Sequence, residues 1–368
     1  MHVQIVDPSA QTPPFDRALA AALARAGADV ELVTSHFVHG AVPAAEGYSV
    51  TESFYRRSSR LPSNSLQRRA LGLVEHLPGM LRHRRAAAET DVVHYQWLTI
   101  PMLDAHLLPP GPARVLTTHG FLRGAESGPS ATRALERMDA VIALSQHGAG
   151  RLRDAGVDPA RIHVIPHGAF DYLTRLPEER PLPAELKGAV GPVILSFGVI
   201  RPYKGIDVLL RAFAAVEGAE LWVVGRPLGA DLDELHRLAA AAPGPVRILP
   251  RFVPDSEVPA IMRRADIVAL PYRDVDQSGV LYTALAFGKP IVASAVGGFG
   301  EVIQGHGAGR LVPPGDPQAL AASLRELLAQ PAERARLGEA ALAAARGPYS
   351  WDSVARRTLD LYQDLLNR

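Results

Sequence analysis

Short apolar runs rich in β-branched residues alternate along the chain with longer stretches whose apolar positions recur every three or four residues. Val3-Gln4-Ile5-Val6 reads as a strand, and the spacing of Leu19 and Leu23 predicts a helix over residues 15–25, ended by Gly27. Val30-Glu31-Leu32-Val33 reads as the next strand, and the rhythm continues through residues 92–95, 115–118, 141–144 and 162–165. Strands separated by helices imply βαβ units and a parallel sheet.

The rhythm pauses over residues 171–191, where Pro177, Pro181, Pro183, Gly188 and Gly191 stand among charges, a composition that reads as an interdomain linker. It restarts over 193–197, 221–224, 246–249, 267–270 and 290–293. The fold class is therefore α/β, with two doubly wound, Rossmann-like domains over residues 1–180 and 190–347. In residues 348–368, Trp351, Val354, Leu359, Leu361, Tyr362 and Leu365 lie broadly on one side of a helix that needs a partner surface. Ligands of open α/β sheets bind beyond the carboxyl ends of the strands. The cleft between two facing domains is the expected active site.

Composition narrows this picture. A length of 368 residues suits two domains, and 47% apolar residues with a net charge of +1 exclude a disordered chain and a dedicated nucleic-acid binder. No cysteine is present, which removes disulfides, thiolate metal sites and cysteine nucleophiles. Met1-His2-Val3-Gln4-Ile5-Val6-Asp7 has no basic segment leading into a long apolar one, and no apolar run approaches the roughly 18 residues of a membrane span, so the expected location is cytoplasmic. Only Lys187, Lys204 and Lys289 are lysines among 39 basic residues. A lysine at a glycine-rich turn is thus informative.

Residues 51–90 hold eight arginines (56, 57, 60, 68, 69, 82, 84 and 85) against Glu52, Glu75 and Glu89. The segment reads either as a solvated helical face or as a patch for an anionic membrane surface or a phosphate-bearing acceptor.

The densest chemical signal is Phe197-Gly198-Val199-Ile200-Arg201-Pro202-Tyr203-Lys204-Gly205, between a strand and a predicted helix over 206–215. Glycine at a strand end admits close approach of backbone to a ligand, and the next helix start favours an anion. Arg201 and Lys204 add two cations, so a pyrophosphate is the natural guest. The alternative is an ordinary βα turn with surface charges. A second signal, Asp276-Gln277-Ser278-Gly279-Val280, opens a helix at residues 278–279. There the Gly279 and Val280 amides favour an anion, and Asp276, Gln277 and Ser278 offer bonds to hydroxyls. Alternatively Ser278 simply caps the helix. Gly297-Gly298-Phe299-Gly300-Glu301 and Thr117-Thr118-His119-Gly120 also follow strands; His147, His163 and His167 read as structural or peripheral. No GxGxxG follows a strand, and no P-loop, HExxH or GxSxG occurs. Metal ligation has no positive sign.

Together these residues resemble the retaining GT-B glycosyltransferases of family 4. The resemblance is carried by Gly198, Arg201, Lys204-Gly205, Val224-Gly225-Arg226-Pro227, Asp266, Leu270-Pro271, Gly288-Lys289-Pro290-Ile291-Val292, Gly297-Gly298, Glu301 and Leu311-Val312-Pro313, in that order. It implies a GT-B fold whose C-terminal domain binds a nucleotide-diphosphate sugar as co-substrate, with no cofactor or metal. Lys204 is then the diphosphate lysine. The family arginine directly follows the glycine, where this chain has Val199, so Arg201 takes its place. Backbone near Arg251-Phe252-Val253 reads the base, His119 approaches the donor sugar from the opposite domain, and residues 348–368 form the helix that crosses back to the N-terminal domain. The family's paired glutamates fall on Val275 and Thr283, neither acidic. Asp276 or Gln277 replaces the first, and Thr283 reaches a ribose hydroxyl. By resemblance the reaction is retaining, through a front-face mechanism that relies on electrostatics and positioning. The acceptor is a glycan, a lipid or a small molecule, with peripheral contact at the inner membrane face through 51–90. A non-catalytic nucleotide-sugar binder and a GT-B sugar-nucleotide epimerase are the competing readings.

Overall fold

The computed structural model describes residues 1–38, 40, 42, 44–62, 65–120 and 129–368. They form two compact units, one of Met1–Gly168 with Trp351–Arg368 and one of Ala169–Ser350.

The first unit is a seven-stranded parallel sheet in the order β3-β2-β1-β4-β5-β6-β7. Its strands are β1 (His2–Asp7), β2 (Asp29–Thr34), β3 (Ser49–Glu52), β4 (Val92–Tyr95), β5 (Ala113–Thr118), β6 (Ala140–Ala143) and β7 (Ile162–Val164). Its helices are α1 (Pro13–Arg25), α2 (Leu66–Ala86), α3 (Pro101–Leu107), α4 (Pro129–Leu135) and α5 (Gln146–Asp154). Val3, Ile5 and Val6 of β1 are fully buried because a central parallel strand is covered on both faces. The polar residue between them, Gln4, is also buried and donates to Glu31 on β2 at 2.7 Å. The terminal helix finds its partner surface here: it packs along α1, buries Trp351, Val354, Leu361 and Tyr362, and hydrogen-bonds His94 of β4 through the Tyr362 hydroxyl at 2.6 Å.

The second unit holds β8 (Val193–Phe197), β9 (Glu220–Val224), β10 (Val246–Leu249), β11 (Ile267–Leu270), β12 (Ile291–Ser294) and β13 (Gly309–Val312) in the order β10-β9-β8-β11-β12-β13, all parallel. Around it run α6 (Ile206–Phe213), α7 (Leu232–Ala240), α8 (Val258–Arg264), α9 (Gly279–Ala286), α10 (Phe299–His306), α11 (Pro317–Ala329) and α12 (Pro331–Arg346); the terminal helix is α13 (Trp351–Leu366). Residues 171–191, which read as a linker, carry short 3₁₀ turns at Asp171–Arg175 and Ala184–Leu186. Leu173 and Leu186 enter the core of this unit, so apolar packing outweighs the proline- and charge-rich composition. Among the described residues no helix is long and apolar enough to cross a membrane.

Candidate functional site

Strand order reverses in the second unit between β8 and β11, and the loops leaving those strands diverge there, the position at which doubly wound sheets open a crevice. Gly198 leaves β8 with φ of +94°, a left-handed conformation that disfavours a side chain. A Cβ at this position would lie 2.9 Å from Lys204 Nζ and 3.0 Å from Val280 Cγ2. Two segments far apart in sequence, the turn after β8 and the start of α9, thus meet around the space that the glycine leaves.

Lys204 ends the 3₁₀ turn Pro202–Lys204 and is only 7% exposed. Its ammonium sits over the Tyr272 ring, 5.1 Å from the centroid. Among the described residues no carboxylate or carbonyl accepts a hydrogen bond from Nζ. A buried cation without a counter-ion is costly, and a bound anion would relieve that cost.

The other wall is the start of α9. Ser278 stands at the N-cap, yet its side chain makes no capping bond; its hydroxyl lies 3.2 Å from that of Tyr272. The simple capping alternative therefore fails, and the first-turn amides at Gly279 and Val280 keep their donors for a ligand. Phe170 borders Gly279 closely. Gln277, half-buried, accepts from the Tyr282 hydroxyl at 3.0 Å, and burial, aided by Tyr349 and Glu301, raises the Tyr282 phenol well above its usual range. Glu301 itself is exposed in the first turn of α10, and Asp276 is half-buried in the loop. That loop is pinned by Gly297 at φ +53°, where any side chain would collide with the Val275 carbonyl, and by the Gly298 amide donating to the Asp276 carbonyl at 3.2 Å.

Other predicted residues stand apart from this centre. Thr283 is buried and donates to the Gly279 carbonyl at 2.9 Å, so its proton is already committed. Arg201 is exposed and its side chain has no partner among the described residues. Beyond β10, Arg251 donates to Glu257 at 2.7 Å and to the Phe252 carbonyl at 3.1 Å; Phe252 is exposed, whereas Val253 is buried and can offer only backbone.

The first unit builds a second cluster where its own strand order turns, between β1 and β4. His119 stacks on Trp97 with centroids 5.4 Å apart and meets Phe15 edge-on at 4.6 Å. Its Nε2 is 2.9 Å from Gln96 Oε1. Desolvation first, then the neighbouring His167 and His94, lower its pKa to about 3. His119 is therefore a neutral hydrogen-bonding group, with no proton to offer as a general acid at neutral pH. The Trp97 indole donates to Thr12 Oγ1 at 2.9 Å, and Thr12 donates to Asp16 Oδ1 at 3.1 Å. Asp7, fully buried, accepts the Gln11 and Thr12 amides at 2.6 and 3.0 Å and hydrogen-bonds Asp16. Burial, then the Asp7 charge, push Asp16 well above the carboxylate range, so Asp16 keeps its proton for Asp7. His147 is exposed and His163 half-buried, while the buried His167 lies 2.6 Å from the Gly168 carbonyl through Nδ1.

The description Glycosyltransferase Family 4 fits residues 17–169, and Glycosyl transferases group 1 fits residues 191–330. The D-inositol 3-phosphate glycosyltransferase of Kineococcus radiotolerans is 30% identical over 393 residues, spanning 94% of this chain and 88% of that protein. The chain belongs to glycosyltransferase family 4. As a family 4 member it is an enzyme, a glycosyltransferase that uses a nucleotide-sugar donor. The sucrose-phosphate synthase of Thermosynechococcus elongatus shares its fold with a TM-score of 0.74 at 20% identity over 99% of both chains. Anabaena HepE, solved with UDP and glucose, gives 0.74 at 21% identity over 99% of this chain and 100% of its own. These neighbours carry the two-domain α/β GT-B fold.

Two features of this family 4 enzyme escape sequence reading. Tyr272, which underlies Lys204 and touches Ser278, has only its place after Leu270-Pro271 as a signal. The Asp7–Asp16 pair has none, because one acid closes a strand and the other hides in a helix.

Proposed function

We propose that the chain moves a sugar, with retention, from a nucleoside-diphosphate sugar to an acceptor hydroxyl in polysaccharide, glycolipid or glycoside synthesis. The observation that carries this is the buried Lys204 ammonium, without a counter-ion among the described residues, beside the space at Gly198 and the first turn of α9. In this reading Lys204, Arg201 and the Gly279 and Val280 amides neutralise charge developing on the departing diphosphate, with no resident metal or cofactor. Asp276 and Gln277 engage sugar hydroxyls, Thr283 accepts from the ribose, Glu301 belongs to the same donor site, and backbone at 251–253 meets the base. His119 acts as a neutral hydrogen-bond partner in the transfer. UDP is favoured as the nucleotide, since the HepE neighbour holds UDP. The relative named for inositol 3-phosphate supports a phosphate-bearing acceptor, and peripheral membrane contact through residues 51–90 belongs to the same reading.

Thermal shift with UDP, GDP and ADP tests the donor site. Ligand at about 100 times its dissociation constant adds roughly 2.7 kcal/mol of stability. A shift with UDP that disappears in Lys204→Ala is the expected result. No shift with any of the three would overturn the assignment.

A further inference from the structure

Helix α2 turns only a narrow face to its own unit. His76, Gly79, Met80 and His83 are its buried residues, with His83 Nε2 3.0 Å from the Tyr95 hydroxyl. The neighbouring face is apolar and open: Leu66, Leu73, Val74, Leu77 and Leu81 are 80%, 68%, 69%, 44% and 38% exposed. Positions 66, 70, 73, 74, 77 and 81 recur at helical spacing and lie on one side. Helix α3 packs against α2, is tied to it by Arg84 donating to the His106 carbonyl, and adds exposed Met102. Such a run of large apolar side chains normally faces a core, and here it faces outward.

Its border is cationic. Arg56, Arg60, Arg69 and Arg85 are exposed, and among the described residues their side chains make no hydrogen bond or ion pair. The one acid of α2 is already used: Glu75 accepts from the Ser58 hydroxyl at 2.7 Å and from the Arg57 and Ser58 amides, which hold its carboxyl below the usual range despite partial burial.

We infer that α2 lies in the headgroup layer of a bilayer containing anionic phospholipid, with Leu66, Leu73, Val74, Leu77 and Leu81 at the acyl boundary and the arginines on lipid phosphates. Charge decides among the possible occupants. A second copy placed on this face would set arginines against arginines, whereas an anionic bilayer supplies both an apolar interior and negative charge. The inference rests on the transferase reading only for its purpose, which is to bring the enzyme to an acceptor held at a membrane surface.

The test is flotation of the whole chain with phosphatidylglycerol-containing vesicles and with pure phosphatidylcholine vesicles, at low and high salt. Binding is expected only to the anionic vesicles, to weaken with salt, and to fall at least tenfold in Leu73→Glu/Leu77→Glu and in Arg56→Glu/Arg60→Glu. Because these positions are exposed, the variants should keep the wild-type Tm and UDP-induced shift. Flotation equal to wild type in the leucine variant would overturn the inference, as would no flotation of wild type. A wild-type dimer dispersed by the leucine substitutions would assign the face to a second copy and overturn it too. Loss of vesicle binding alone, with the UDP shift intact in wild type, would leave the transferase reading standing.

Discussion

Gly198 and Lys204 are fitted to each other: a single methyl group on the glycine would reach within 2.9 Å of the lysine's Nζ. The space beside the ammonium is open because position 198 carries no side chain. Gly198→Ala fills that space and also strains a backbone at φ +94°, at a cost of about 1–2 kcal/mol. The expected outcome is a folded protein whose Tm falls by several degrees and whose UDP shift is absent. An unchanged UDP shift in calorimetry or dye-based melting would move the diphosphate elsewhere.

Charge neutralisation by side chains and amides predicts insensitivity to chelation. Turnover of a nucleotide sugar should be the same with and without EDTA, while Asp276→Asn should lower kcat by roughly tenfold or more, the scale expected for one positioned polar group. UDP affinity in that variant should stay within about twofold of wild type, measured by titration. Chelation that abolishes turnover would contradict this division of labour.

Four histidines of the first unit set its acid sensitivity. Burial holds His83 and His167 near pKa 4 and His94 and His119 near 3, all from an ordinary 6.5. Below about pH 6.5 the unfolded chain binds protons that the folded chain refuses, so these groups favour folding at higher pH and their contribution is lost on acidification. Melting curves should show Tm dropping steadily as pH falls from about 6.5 towards 4. A flat Tm over that range would mean that these rings are far better solvated than their packing indicates.

The carboxyl pair has the opposite sign. Asp7 and Asp16 both have raised pKa values, so the folded state holds a proton that the unfolded state gives up above its ordinary 3.8. Their contribution weakens as pH rises. Asp16→Asn keeps a donor towards Asp7 without the ionisation, and its Tm should gain on wild type progressively as pH rises above the ordinary carboxylate value of 3.8. Parallel Tm profiles for the two proteins would refute a shared proton.

How much of this could be read beforehand follows from which interactions are local. The strands at residues 3–6, 193–197 and 267–270 announce themselves as short, mostly apolar runs rich in β-branched residues, because parallel strands are buried on both faces. Ser49–Glu52 does not, since an edge strand needs no such pattern and its residues stay exposed or half-buried. The Gly198–Gly205 turn shows through its glycines and its rare lysine. Tyr272 beneath that lysine, and the failure of Ser278 to cap its helix, depend on where β11 ends relative to β8, a distance no spacing encodes. On α2 the arginines could be counted in advance. The exposure of its leucines could not, because apolar residues at helical spacing look the same whether a core or a bilayer covers them.

The seclusion of Lys204 also gives the enzyme an intrinsic chemical gauge. Lys187 is exposed, whereas Lys289 is tied up by donating to the carbonyls of Arg263 and Ala265 at 3.0 and 2.8 Å. An amine-reactive reagent thus meets one open lysine, one occupied lysine and one that a bound diphosphate would shield. Peptide mass spectrometry after brief acylation can then report donor-site occupancy from the Lys204 peptide, with Lys187 as the internal standard.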